Sequence, residues 1–278
     1  MMGRAYAAGT ILNALATGIG CAFGIDLDLK VKIKSDSENT LVVNGEKRNG
    51  EILKKILSHF DEKFYVVVRS RIPERSGLGS SSAFLNALLS AMMKRHKELS
   101  AAEILKLNAD ISLKAGMSYT GAFDDASASL LGGFVISDNY RRKLRDWFIM
   151  RKYVAILIPE FKRGHVDWEK IKKESYRLRN VDIKLKEHKF CEVMIDNTKF
   201  YCEMIGYPKE IAERLWKENV CCGLSGNGPA YVAFGEKDEI VIAKEIWSDY
   251  GEVLIKKVPE KPSENVIITQ ELFIDNQN

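Results

Sequence analysis

Residues 73–82, with the sequence PERSGLGSSS, place two glycines and three consecutive serines directly before an apolar run. Gly77 and Gly79 allow backbone conformations and a close approach that a side chain would prevent. The serines stand where a helix is predicted to begin, and a helix N-terminus offers unpaired N–H groups and the positive end of its dipole. This segment predicts an anion-binding site, and an ordinary capped helix after a turn is the alternative.

A second glycine-rich segment, residues 223–229 (GLSGNGP), has three glycines just before a predicted strand. A serine-hydrolase elbow would need glycine at position 227, where Asn227 stands. Backbone that approaches a ligand, or the first glycine loop, explains this composition better. A tight turn between a helix and a strand is the alternative.

Asp124 and Asp125 are adjacent within TGAFDDASAS, among small and apolar residues. Because buried carboxylates are rare unless they are paired, such a pair indicates a metal site, a general base or a helix cap. Beside two phosphate-type loops, the favoured roles are accepting a substrate proton and holding a cation near phosphate.

Several other chemistries are not supported by the sequence. It contains no Walker phosphate loop and no protein-kinase motifs, and GIGCAFG misses the dinucleotide-binding spacing by one residue. Four scattered histidines argue against a zinc site. The five cysteines follow neither a zinc nor a disulfide pattern, so we expect buried thiols in a reducing cytoplasm.

The elements that must position these residues can be predicted from periodicity. Residues 27–35 alternate between apolar and polar side chains, which predicts a half-buried strand, and Asn44–Gly45 predicts a hairpin. Ser100 and Glu103 form a capping box before a helical pattern. The first half is therefore mixed α and β, and two helices and two strands at the end predict a compact α+β lobe. We place the lobes at residues 1–150 and 151–278.

The composition excludes some classes of protein. With 46% hydrophobic residues, 29% charged residues and a net charge of +4, the chain is typical of a globular protein without a dominant basic surface, so no nucleic-acid partner is expected. Residues 5–25 carry no charge but contain polar residues and four glycines, so a buried region near a ligand is expected there and no membrane segment.

Together, the three segments resemble the GHMP kinases, a family that includes galactokinase, homoserine kinase and mevalonate kinase. Pro73 through Ser81 matches the family's second motif, and Ser225, Gly226, Gly228 and Pro229 match its third. The amino-terminal residues GRAYAAGTILNALATGIGCAFGIDLDLKV, with TGAFDDASAS and GLSGNGPAYVA, resemble the archaeal shikimate kinase branch. The resemblance covers essentially the whole chain.

This resemblance implies a cytoplasmic, ATP-dependent and magnesium-dependent kinase of shikimate with an α+β fold. The fold would have two lobes, a mixed α/β N-terminal lobe and a ferredoxin-like C-terminal lobe, with the substrates between them. Another kinase of the same family, or a non-catalytic nucleotide-binding regulator, is the alternative. Neither the sequence nor the resemblance decides between a monomer and a homo-oligomer.

The resemblance also assigns roles to individual residues. Asp124 would be the catalytic carboxylate, or Asp125 if the alignment is displaced by one residue, and the hydroxyl of Ser81 would contact the metal. Asn13, Thr17 and Gly18 would meet the acceptor or the adenosine. Arg163 is favoured over Arg4 and Lys162 as the partner of the shikimate carboxylate. The nucleotide would contact Pro73, Glu74, Arg75, Ser76, Gly77, Leu78, Gly79, Ser80, Ser81, Ser82, Gly226 and Gly228.

Overall fold

The structure is a computed structural model, which describes residues 1–58, 60, 62–94 and 98–274. Its strands are β1 (Met2–Leu12), β2 (Ile19–Ser35), β3 (Thr40–Val43), β4 (Glu46–Arg48), β5 (Phe64–Ser70), β6 (Leu99–Ser100), β7 (Phe134–Asp138), β8 (Lys143–Phe148), β9 (Tyr153–Pro159), β10 (Cys222–Leu224), β11 (Tyr231–Gly235), β12 (Gly251–Lys257) and β13 (Val266–Ile267).

Ten α-helices lie within the described residues, together with short 3₁₀ turns at Ser175–Leu178 and Gln270–Leu272. The helices are α1 (Ala14–Thr17), α2 (Glu51–Leu57), α3 (Ser80–Met93), α4 (Ala101–Lys114), α5 (Phe123–Leu131), α6 (Trp168–Lys173), α7 (Val181–Lys186), α8 (Phe190–Ile205), α9 (Glu210–Trp216) and α10 (Lys237–Trp247). Within the described ranges, no helix has the length and apolar character needed to span a membrane.

The first lobe is built on a seven-stranded sheet in the order β4-β3-β5-β2-β7-β8, in which β1 pairs with β2. The long strand β2 pairs with β7 through its first residues and with β5 through its last. Asn44 and Gly45 form the predicted two-residue turn between β3 and β4, and both have positive φ. This sheet and its helices confirm the predicted mixed α/β lobe.

Helices α3, α4 and α5 pack together on this sheet, and buried amides join them. The Asn108 amide on α4 donates to Ser82 O at 2.9 Å and to Asn86 Oδ1 at 2.8 Å. The Asn86 amide on α3 donates in turn to Ala126 O on α5 at 2.8 Å. Because these bonds are buried, they hold the start of α3 and the start of α5 in a defined relation.

The second lobe contains an antiparallel four-stranded sheet in the order β10-β11-β9-β12. Helices α6–α9 connect β9 to β10, and α10 connects β11 to β12. The order of the four strands along the sheet, 2-3-1-4 in chain order, is that of a ferredoxin-like fold, which confirms this part of the prediction.

The predicted division at residues 150 and 151 falls between β8 and β9, and its position stays a prediction. After β12 the chain returns to the first lobe, where β13 pairs with β6. Glu264 accepts the N–H of Arg4 and pairs with Lys94 at 2.6 Å in each case. The last described residues thus tie the second lobe to the first.

The cysteine expectation is wrong for one pair. Cys191, in the first turn of α8, and Cys221, just before β10, form a disulfide with a Cα–Cα distance of 5.0 Å. Thirty residues separate the two along the chain, so the contact depends on tertiary structure. Cys21, Cys202 and Cys222 are buried thiols, as expected.

Candidate active site

The first glycine loop, residues 73–79, leads the chain from β5 into α3. Gly77 and Gly79 have φ values of +88° and +66°, in the left-handed region that favours glycine. Leu78 lies between them with its side chain buried, and its carbonyl oxygen accepts the N–H of Ala8 in β1 at 3.0 Å. Gly79 is the N-cap of α3, and no side chain caps the helix. The serines at 80–82 therefore do not act as the cap, and the start of α3 offers N–H groups to a ligand.

The second glycine loop, residues 223–229, lies directly against the first. The hydroxyl of Ser225 donates to Gly77 O at 2.9 Å, and the N–H of Ala230 donates to Ser76 O at 2.9 Å. A Cβ atom at Gly77 would lie 2.2 Å from Ser225 O. Only glycine at position 77 allows the two backbones to come this close.

The amino-terminal strand holds the second glycine loop from the other side. Thr10 of β1 accepts the N–H of Gly226 on its hydroxyl oxygen at 2.8 Å, and its own N–H donates to Ser225 Oγ at 3.2 Å. The side-chain amide of Asn13 donates to Asn227 Oδ1 at 2.9 Å. The uncharged amino-terminal segment thus contacts the second glycine loop and connects the two lobes there.

Asp124 lies in the first turn of α5 and is only 5% exposed. Its Oδ1 accepts from the Asn139 amide at 2.9 Å, and its N–H donates to Asn139 Oδ1 at 3.2 Å. Gly20 makes room for it, since a Cβ atom there would lie 2.4 Å from Asp124 Oδ2. Burial raises the pKa of Asp124, and the hydrogen bond from Asn139 opposes that rise by stabilising the carboxylate.

Asp125 is half-buried beside the first glycine loop, where a Cβ atom on Gly79 would lie 3.6 Å from its Cβ. Its Oδ1 is inaccessible to solvent and has no hydrogen-bond partner among the described residues. Burial, and then the charge of Asp124, raise the pKa of Asp125 well above its usual value. A buried carboxylate oxygen without a partner needs a proton or a cation.

The donor atoms near this oxygen suit magnesium better than a transition metal. They are the carboxylate of Asp125 and the hydroxyl groups at the start of α3, and Mg²⁺ prefers oxygen ligands. Across the described residues, no three His, Cys, Asp or Glu side chains form a metal-binding group. Magnesium bound with a nucleotide needs only one or two protein ligands, since phosphates and water supply the rest.

A second wall of the cleft comes from residues 163–166 of the segment 160–167, which we call the β9–α6 segment. Arg163 and His165 line the cleft from this segment, and the cleft has a volume of about 430 Å³. Residues 117–120 of the first lobe line the same side. Tyr119 stacks on Trp168, at the start of α6, with ring centroids 5.2 Å apart and planes 5° apart. The two lobes therefore touch at both edges of the cleft.

The structure brings most of the predicted site residues together. Those that line the cleft are Asn13, Arg75, Ser76, Gly77, Gly79, Ser80, Ser81, Ser82, Asp124, Asp125, Arg163 and Gly226. The predicted residues that do not line the cleft are Thr17, Gly18, Pro73, Glu74, Leu78 and Gly228. Arg4 and Lys162, the alternatives to Arg163, do not line it either.

Thr17 and Gly18 occupy a turn beside the cleft. Gly18 ends α1 with a φ of +80°, and a Cβ atom there would lie 2.2 Å from the Tyr140 ring. The Thr17 hydroxyl bonds to the backbone of Ile19. These contacts give both residues a local structural role, and their contact with a substrate stays a prediction.

Other cleft residues were not predicted from the sequence. Thr10 lies in the uncharged amino-terminal segment, where only its polar side chain could have indicated a site residue. Asn227 lies in the second glycine loop. Residues 117–120 and 164–166 follow no motif and reach the cleft only through the packing of the lobes.

Comparison with known proteins agrees with this arrangement. Residues 48–133 match the family model for the N-terminal domain of GHMP kinases. The chain is 48% identical to a shikimate kinase of Archaeoglobus fulgidus over 274 residues, 98% of each chain. It is 35% identical to a shikimate kinase of Methanothrix thermoacetophila, over 93% of each chain.

Solved structures show the same fold at low sequence identity. A homoserine kinase from Cytophaga hutchinsonii superposes with a TM-score of 0.67 at 16% identity, over 94% of this chain and 96% of the other. At this identity the likeness concerns the fold alone.

Proposed function

Because the chain belongs to the family of archaeal shikimate kinases within the GHMP kinases, we propose that it transfers the γ-phosphoryl group of ATP to the 3-hydroxyl group of shikimate. The observation that carries this proposal is the identity of 48% with a shikimate kinase over 98% of both chains. The cleft supports it, since one wall suits phosphates and the other carries an arginine for a carboxylate. A cytoplasmic location is part of the proposal.

The phosphates would bind where the two glycine loops meet. The backbone N–H groups at the start of α3 and the hydroxyls of Ser80 and Ser81 face this end of the cleft. Arg75 lines it too, and among the described residues no acidic side chain pairs with Arg75. A guanidinium group there would supply the positive side chain that a Walker loop takes from its lysine.

Asp124 would accept the proton of the attacking hydroxyl. Asn139 holds one oxygen of this carboxylate, so the group has a fixed orientation in the cleft. Burial makes Asp124 a stronger base than an exposed aspartate, while the Asn139 amide favours its ionised form. Both effects suit a base that must be ionised before reaction and bind a proton during it.

Arg163 would bind the carboxylate of shikimate. Arg163 lines the same cleft as the glycine loops and pairs with no acidic side chain in the described part of the chain. A planar guanidinium can bind a carboxylate through two parallel hydrogen bonds. Bound in this way, the acceptor would lie between Arg163 and Asp124.

Asp125 and Ser81 would hold magnesium. The unpaired oxygen of Asp125 and the hydroxyl of Ser81 are oxygen ligands in the same cleft. When bound, Mg²⁺ supplies positive charge that neutralises the phosphate oxygens during transfer.

The proposal is tested with the purified protein, ATP, magnesium chloride and shikimate. We expect a phosphomonoester product at the mass of shikimate 3-phosphate, with the phosphorus coupled to the proton at C3 in ³¹P NMR. ATP binding without any phosphorylated product would instead favour a nucleotide-binding regulator.

A further inference from the structure

The β9–α6 segment is held to the rest of the protein by very few polar contacts. It has no regular secondary structure, although Arg163 and His165 project from it into the cleft. Among the described residues, the only hydrogen bond to residues 160–166 joins the N–H of Gly164 to the hydroxyl of Tyr207, at 2.8 Å. That hydroxyl group is therefore the polar anchor of the segment, beside the apolar contacts that Phe161 makes with the Tyr207 ring and that Phe161 and Val166 make with the core.

The same hydroxyl group also contacts the second glycine loop. Tyr207 donates its hydroxyl proton to Asn227 O at 3.1 Å, while it accepts from Gly164. Asn227 is joined in turn to Asn13, through their side chains. One oxygen atom thus links the wall that carries Arg163 to the loop that faces the phosphates.

Tyr207 is itself held rigidly. It follows Gly206, the C-cap of α8, and its N–H donates to Cys202 O at 2.9 Å. Its ring is 8% exposed, and a Cβ atom on Gly228 would lie 2.6 Å from its Cε2. Because the Tyr207 side chain has so little freedom to move, its hydroxyl group can fix the position of one loop relative to another.

Gly164 fits this contact because it has no side chain. A Cβ atom there would lie 2.6 Å from Ile205 Cγ2 and 2.8 Å from Ile205 O. Glycine lets the segment lie flat on the end of α8, with its N–H directed at Tyr207. Arg163 and His165 then flank the contact on either side.

We propose that Tyr207 is a positioning residue for the acceptor, which sets the place of Arg163 and His165 relative to the second glycine loop. This inference rests on the proposed function and adds to it a residue outside the lining of the cleft. The second glycine loop keeps its bonds to Thr10, Gly77 and Asn13 without Tyr207. Residues 160–166 keep no hydrogen bond to the described residues, so loss of the hydroxyl should weaken acceptor binding and leave nucleotide binding nearly intact.

The direct test is Tyr207→Phe, which removes the hydroxyl group and keeps the ring. We expect the KM for shikimate to rise about tenfold, the effect of one lost hydrogen bond, with the KM for ATP within about twofold of the wild type. Tyr250→Phe is the matched control, because that hydroxyl of the same lobe accepts from Arg214 and Tyr250 does not line the cleft. It should change neither KM.

Three results would overturn the inference. They are an unchanged KM for shikimate in Tyr207→Phe, equal rises in both KM values, or the same rise in Tyr250→Phe. Gly164→Ala gives a second route to the same segment, since it displaces the backbone and keeps Tyr207. It should also raise the KM for shikimate and spare that for ATP, and an unchanged KM for shikimate would contradict the account.

Amide hydrogen exchange tests the positioning without any substrate. The Gly164 amide should exchange about tenfold faster in Tyr207→Phe than in the wild type, because its acceptor is gone. Equal exchange rates would refute the positioning role. If the wild type did not phosphorylate shikimate, the proposed function would fail, and this measurement would still decide the role of Tyr207.

Discussion

The two walls of the cleft are built in different ways. On one wall, two glycine loops meet backbone to backbone, with Ser225 bonded to Gly77 and Thr10 bonded to Gly226. On the other wall, residues 160–166 of the β9–α6 segment make one hydrogen bond, to Tyr207, among the described residues. The first wall is rigid through its backbone, and the second depends on a few side chains.

This difference matches what each wall would bind. Every kinase of this fold must hold the same phosphates, and backbone groups at close contact do so without depending on a particular side chain. The acceptor differs from one kinase to another, and a sparsely bonded segment can change its side chains at little cost to the fold. We therefore propose that ATP binds at the glycine loops and that the β9–α6 segment selects the acceptor.

The carboxylate between the two walls should give the largest effect. Asp124→Asn should lower kcat by about 10²–10⁴, since the variant keeps the shape of the side chain and loses the base. Steady-state kinetics with ATP and shikimate would measure it. Near-normal turnover in Asp124→Asn, together with a loss in Asp125→Asn, would move the base to Asp125.

Replacement of Arg163 should affect acceptor binding and leave ATP binding unchanged, which distinguishes the two walls. Arg163→Ala should raise the KM for shikimate by about 10–100-fold, because it removes charge-assisted hydrogen bonds to the carboxylate. The KM for ATP should stay within about twofold. Lys162→Ala is the control, since Lys162 is adjacent and does not line the cleft. If Arg163→Ala raised the KM for ATP instead, the assignment of the walls would be reversed.

Gly77→Ala should act on the opposite wall. The new methyl group would meet Ser225 O, so we expect the free energy of unfolding to fall by about 2–4 kcal/mol and the KM for ATP to rise about tenfold. Gly45→Ala is the control, because Gly45 has a φ of +90° with open space around it. It should lose only about 1 kcal/mol and keep its KM for ATP. Chemical denaturation and kinetics on both variants would measure this difference, and equal losses would contradict it.

The carboxylate of Asp125, beside the first glycine loop, should destabilise the ligand-free protein when it is ionised. Its pKa is raised in the folded protein by burial and by Asp124, so ionisation at neutral pH destabilises the fold. Asp125→Asn should therefore raise the free energy of unfolding at pH 8 by about 1 kcal/mol. The gain should shrink as the pH falls towards the ordinary pKa of an aspartate, where both states are protonated.

Urea denaturation of the ligand-free protein at pH 8 and pH 4 would test this prediction. A gain that is as large at pH 4 as at pH 8 would show that the charge is not the cause. A variant less stable than the wild type at pH 8 would show that the Asp125 carboxylate has a partner.

The sequence predicted the rigid wall better than the other. Gly77, Gly79 and the glycines at 226 and 228 carry a local signal, because only glycine permits these backbone angles and contacts. The two lobes, the hairpin at Asn44 and the family were likewise readable from periodicity and motifs, and each is confirmed. These features depend on residues close together in the chain.

The second wall could not be predicted in the same way. Gly164 reaches Tyr207 across 43 residues of the second lobe. This contact exists only after the β9–α6 segment has packed on the end of α8, and no local pattern encodes it. Thr17 and Gly18, in contrast, were predicted to meet a substrate because their segment is rich in glycine. The turn after α1 already requires glycine at position 18.

The most direct test of the division between the walls is a comparison of acceptors with the wild-type protein. ADP release would be followed with shikimate, homoserine and mevalonate at saturating ATP. The account predicts a kcat/KM for shikimate at least about 100-fold above that for either alternative, as expected for a site built around the acceptor's polar groups. A higher value for homoserine or mevalonate, or equal values for all three, would contradict it.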